Sequence, residues 1–149
     1  MEVAGGIYRD PHGYFEFSFP RDGWSLLSSK ASDLTLWNAR MGAGIVVNVS
    51  ALQEDRELSI LTRHLLIAFE RKRVISRETA VVDGKEAVRA VVEGWIEKSK
   101  VMAEVYVVKG EGVVYDIVFW SPTEVFAQTV QIFQQFLGTL HFVDEQEGN

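Results

Sequence analysis

The amino-acid sequence predicts an α+β fold: a three-layer α/β/α sandwich around a central, mainly antiparallel meander sheet, with two principal helices. Three observations carry this. Strand-like stretches separated by Gly-containing or charged turns fill residues 74–120. Two amphipathic stretches at helical spacing flank that region, near residues 56–72 and 122–140. Residues 113–120 are largely apolar on both strand faces, as expected of a central strand with both sides at least partly covered.

With 149 residues, 47% hydrophobic and 24% charged, the chain suits one folded domain over residues 1–143, with a disordered acidic tail at 144–149. The net charge of −6 argues against nucleic acid as the main partner. No Cys is present, which excludes disulfides, thiolate chemistry and Cys-based metal sites. No stretch approaches the roughly 18 apolar residues that suggest a membrane span. The start has neither a basic nor an apolar leader region, so the chain reads as soluble, with its compartment left open to an exported form that has lost its signal.

Taken in order, Asp10-Pro11-His12-Gly13 is a turn leading into a half-buried strand at 14–19, where Phe15, Phe17 and Phe19 alternate with polar residues. Pro20-Arg21-Asp22-Gly23 then turns the chain into a short return at 24–28. A third strand at 33–39 has Leu34 and Leu36 on one face and Trp37 on the other, and a Gly-containing break at 41–44 precedes β-branched residues 45–49.

The first helix is expected over 56–72, capped by Asp55, with Leu58, Leu61, Leu65, Ala68 and Phe69 on its apolar face. Ile60, Arg63, Ile67 and Arg71 form a stripe beside that face, a candidate partner interface. Arg71-Lys72-Arg73 would complement the dipole at the helix end.

Asp83-Gly84 is a two-residue hairpin turn between strands 74–82 and 86–97. Lys98-Ser99-Lys100 and Lys109-Gly110-Glu111-Gly112 bound a strand at 101–108, and 113–120 follows. Ser121-Pro122-Thr123-Glu124 reads as a capping box opening the second helix. That helix has an apolar arc of about 160°, from Val125 and Phe126 to Leu137 and Leu140. Its opposite side carries Gln128, Gln131 and Gln135 beside Ile132, a neutral strip suited to a homodimer or partner contact.

The expected hairpins pair Glu93 with Glu104 and bring Asp116 beside Tyr106. One face would then be apolar, with Val88, Ala90, Val92, Val105, Val107, Tyr115, Ile117 and Phe119 beneath the second helix. The other face would carry Arg89, Glu93, Trp95, Glu104, Tyr106, Asp116 and Trp120, a mix of charges and rings that could bind a small ligand. Glu93, Glu104 and Asp116 together would suit a hard cation or carboxylate acid/base chemistry, a weaker alternative to a solvated or covered face.

His12, His64 and His141 show no metal or triad spacing, and Gly42-Ala43-Gly44 lacks a phosphate-loop Lys. No cofactor is expected.

Gly13, Tyr14, Phe17, Phe19, Pro20, Gly23 and Trp24 form an aromatic strand ending in Pro-x-x-Gly-Trp. The chain closes on Ser121-Pro122, Phe126, Phe133 and a last short strand at Leu140-His141-Phe142. In these residues and in its order of elements the chain resembles the PsbP-like superfamily. The resemblance implies an α/β/α sandwich and a non-catalytic binding or assembly role toward a protein partner; it carries over no functional residue.

Overall fold

The computed structural model describes residues 6–20, 23–28, 32–52, 70–96 and 98–143, with Glu70 and Arg71 described in their backbone only. Ten strands are found among them: β1 (Ile7–Arg9), β2 (Phe15–Ser18), β3 (Trp24–Leu27), β4 (Leu34–Asn38), β5 (Ala43–Ala51), β6 (Glu70–Val82), β7 (Lys85–Ile96), β8 (Ser99–Lys109), β9 (Val113–Pro122) and β10 (His141–Phe142). One α-helix, α1 (Phe126–Thr139), lies between β9 and β10. The architecture is α+β and the sheets are wholly antiparallel.

Seven strands form the main sheet in the order β3-β4-β5-β9-β8-β7-β6, which makes β9 central, as its two apolar faces require. The expected return from β2 into 24–28 is not a hairpin. β2 leaves for a separate three-stranded sheet, β1-β2-β10, while β3 pairs with β4. Phe15, Phe17 and Phe19 are buried, as their alternation predicts.

The first helix expected at 56–72 falls mostly outside the described residues, as do Ile60, Arg63 and Ile67. Its last residues, 70–72, belong to β6, so Arg71-Lys72-Arg73 is a strand segment and not a helix terminus. The β-branched run that follows, with Val74 and Ile75, extends the strand back to Glu70.

The cap of the second helix also differs. Ser121 and Pro122 end β9, a 3-10 turn covers Thr123–Val125, and α1 starts at Phe126 without a side-chain cap. Ser121 is fully buried and accepts a hydrogen bond from Thr129 Oγ1 at 2.9 Å, tying the strand end to the second turn of the helix.

α1 packs Phe133 and Phe136 inward. Phe133 stacks on Phe119 at 5.1 Å and tilts against Tyr106 at 6.0 Å, and Phe136 meets Phe17 edge-on at 4.8 Å. One helix therefore joins the main sheet to the small one through aromatic contacts. Phe126, Val130, Phe133, Phe136, Leu137 and Leu140 follow the predicted arc, and Ile132 packs against this core, so it is not an exposed member of the Gln strip.

Two registers differ from expectation. The β7–β8 turn is tight, with Ile96 opposite Ser99, so Glu93 faces Met102 and Glu104 faces Val91. This slides the strands by two residues and preserves the faces. Across β8–β9, Lys109 pairs with Val114 and Tyr106 with Ile117, one residue from the expected pairing. A one-residue slip exchanges the faces of β9 relative to β8. Tyr115, Ile117 and Phe119 do lie under the helix, as expected, but they share that side with Glu104, Tyr106 and Val108. Ala90, Val92, Val105 and Val107, expected beneath the same helix, form a second buried cluster on the opposite side with Ala103 and Val114.

Candidate functional site

The register places a carboxylate in the core. Glu104, on β8, is 1% exposed and lies under α1, where an uncompensated charge would be prohibitively costly. Three side chains from three elements answer it. Tyr106, two residues along β8, donates its hydroxyl to Glu104 Oε1 at 2.8 Å. Arg89 on β7, directly opposite Tyr106, donates Nη2 to Oε2 at 3.3 Å. Gln134 on α1 reaches both oxygens with Nε2 at 3.4 Å. Arg89 also spans to Glu78 on β6, with Nη1 donating at 2.6 Å.

The electrostatics follow from burial. The Tyr106 phenol is pushed well above its usual range, first by burial, then by donating to Glu104 and by that carboxylate's charge. It is therefore a hydrogen-bond donor and not a phenolate nucleophile. For Arg89, burial alone would lower the guanidinium, but the bond to Glu104 and its charge, with Tyr106 and Glu78, together raise it. With both Glu104 oxygens engaged, the group acts as a clamp between helix and sheet.

Of the other candidates on this face, Glu93 pairs with Arg73 at 3.4 Å and Lys100 at 3.7 Å, and Trp95 is opposite Lys100. Asp116 and Trp120 are not there. They lie on the other side of the sheet, so the expected grouping of Glu93, Glu104 and Asp116 does not form. Asp116 faces Asn48 on β5 and Val107 on β8, and burial pushes its carboxyl up to about 6. Trp120 lies across Gly44, the residue opposite it on β5. Among the described residues, no three His, Cys, Asp or Glu side chains gather to hold a metal ion.

Gln134 is the site residue that the sequence reading missed. Gln128, Gln131, Gln134 and Gln135 are all exposed on α1, but Gln134 alone sits at the border of the apolar arc, next to the buried Phe133, from where its amide reaches Glu104. That border position, above a strand with a lone inward Glu, is the signal that pairs them. Beside the clamp opens a cleft of about 470 Å³, walled by Val82, Asp83, Tyr106, Gln134, Leu137 and Leu140. At its rim, Asp83 Oδ2 accepts from the Phe142 N–H at 2.9 Å and lies 3.0 Å from His141 Nδ1.

By sequence, no family profile and no curated protein matches the chain. By structure, it is similar to cyanobacterial PsbP (CyanoP) from Synechocystis sp. PCC 6803, with a TM-score of 0.68 at 14% identity over 96% of this chain and 95% of that one. LpqN of Mycobacterium tuberculosis, described as involved in cell envelope biogenesis, superposes with a TM-score of 0.66 at 12% identity, covering 95% of this chain and 87% of LpqN. PA94 of Pseudomonas aeruginosa, a protein of unknown function described as a putative regulator, gives 0.59 at 15% identity, over 90% and 94% of the two chains. These superpositions span 90–96% of the chain, and what they establish is that the chain has the PsbP-like fold.

Proposed function

We propose that the protein is a non-catalytic interaction or assembly module that binds a protein partner. The observation that carries this reading is the surface of β6. This 13-residue strand ends the main sheet and leaves Val74 and Ile75 44% exposed and Val81 71% exposed. Apolar side chains gathered on one sheet edge suit contact with another chain. The structural likeness to cyanobacterial PsbP, to a putative regulator and to a protein involved in cell envelope biogenesis supports the same class of role.

The test is a photo-crosslinking side chain at Ile75, compared with one at Gln128 on α1. A reproducible protein adduct at Ile75 is expected. Turnover of ester, phosphate or glycoside substrates that Glu104→Gln abolishes would overturn the reading. An adduct at Gln128 alone would move the contact to the Gln128, Gln131 and Gln135 surface, where a homodimer is the natural alternative.

A second reading is small-ligand binding, favoured by the cleft beside Tyr106 and Gln134. It requires ligand-dependent gains in thermal stability that Leu137→Trp, filling the cleft, removes.

A further inference from the structure

Two properties of β6 define the kind of partner that fits it. The first is backbone. As the last strand of the sheet, β6 pairs with β7 along one side, and among the described residues no strand pairs with its other side. An extended segment can use such an edge directly, main chain to main chain. Register with β7 shifts between Glu70 and Arg73 and again between Val74 and Ser76, but it runs unbroken from Ser76 to Val82. That regular stretch is as long as an ordinary strand.

The second is charge. β6 carries Arg71, Lys72, Arg73 and Arg77 against Glu70 and Glu78, a net +2 on one strand of a chain whose net charge is −6. Glu78 is engaged by Arg89 at 2.6 Å and Arg73 by Glu93 at 3.4 Å, so pairing within the sheet takes up one charge of each sign and leaves the strand's net charge positive. Lys72 and Arg73 are exposed. Basic side chains and bulges on an edge discourage pairing with a like strand. Two β6 strands side by side would bring two such net charges together, whereas an acidic strand would neutralise them.

We infer that β6 receives an acidic extended segment of a partner protein as an additional antiparallel strand, with apolar residues of that segment meeting Val74 and Val81. The inference rests on the protein-binding reading above and specifies its partner. The charges that disfavour a second copy are those that select the ligand.

The experiment is selection from a random library of about twelve-residue peptides on the full chain, followed by affinity measurement on the winners. Expected are peptides that alternate Asp or Glu with β-branched or aromatic residues. Lys72→Glu should weaken them about tenfold, while Arg40→Glu, at the turn before β5, leaves them unchanged. Methylating alternate peptide nitrogens along one edge should abolish binding, because a strand needs those donors and simple charge attraction does not. Winners without acidic bias, or indifferent to N-methylation, overturn the inference. So does a concentration-dependent dimer that excludes the peptides, which would make a second copy the occupant. If no acidic peptide binds but the Ile75 crosslinker still gives a protein adduct, the acidic strand falls and the binding reading stands. If both fail, both fall.

Discussion

Tyr106 and Glu104, two residues apart on β8, point under the same helix, and the Tyr106 hydroxyl donates to the Glu104 carboxylate at 2.8 Å. This short bond anchors a clamp whose other donors come from β7 and α1. Removing one donor leaves a buried charge less compensated. Tyr106→Phe should therefore cost about 1.5–3 kcal/mol, the range for hydrogen bonds to charged groups. Arg89→Met should cost more, about 3–5 kcal/mol, because it removes the opposite charge as well. Urea midpoints with unchanged slopes would confirm both. If Glu104→Gln rescues the Arg89→Met loss, the penalty lies in the stranded charge.

Asp116 should make stability depend on pH in the sense opposite to that of a salt-bridged carboxylate. Burial holds its folded-state carboxyl at about 6, above the usual value of 3.8. The native chain therefore keeps a proton that the unfolded chain gives up as pH rises from about 4 to about 6. Asp116 imposes no penalty below that window, a growing one through it, and a constant one above. The upper bound, from a shift of about two units, is about 3 kcal/mol. Asp116→Asn, which mimics the protonated form, should stabilise the protein near about pH 7.5 and do nothing near about pH 3.5, as read by urea denaturation at the two pH values.

Local patterns were legible in the sequence where one residue type has one structural use. Asp83-Gly84 could be read as a hairpin because both residues take positive φ, 49° and 77°, as that turn demands. Phe15, Phe17 and Phe19 announced their burial by alternation. The assignment of β8 and β9 side chains to faces was not legible, because a strand's period is two and the four-residue turn at 109–112 admits pairings one residue apart. The true pairing of Lys109 with Val114 sends Asp116 away from Glu104. Arg89, Glu104 and Tyr106 stayed together despite a two-residue slide, since an even slip keeps faces. The small sheet escaped because β1 and β10 have only three and two residues, too few for a period.

Trp120 and Gly44 depend on each other. A Cβ built on Gly44 would come within 2.4 Å of the Trp120 ring. The constraint is packing across β5–β9, for Gly44 is not among the residues with positive φ. Gly44→Ala should therefore displace the indole and cost about 1–3 kcal/mol, the range for overpacking. Pairing it with Trp120→Leu should recover part of that loss, a coupling that a double-mutant cycle measures. Independent losses that simply add would reject the contact.

Asp83 joins the β6–β7 turn to the chain's last described strand. Its Oδ2 accepts from the Phe142 N–H at 2.9 Å and lies 3.0 Å from His141 Nδ1, while its backbone holds φ at 49°. Substitution by Gly separates the two roles, since Gly accepts positive φ more readily than Asp but offers no acceptor. Asp83→Gly should keep the hairpin, with amide exchange along 80–87 unchanged. The Phe142 amide loses its partner and should exchange faster, by about 5- to 150-fold if local opening becomes easier by about 1–3 kcal/mol. Because β10 pairs with β2 in the small sheet, that loosening should spread to Phe15 and Glu16 and leave β8 and β9 protected. Equal acceleration throughout the main sheet would mean that Asp83 matters to the hairpin and not to the tie.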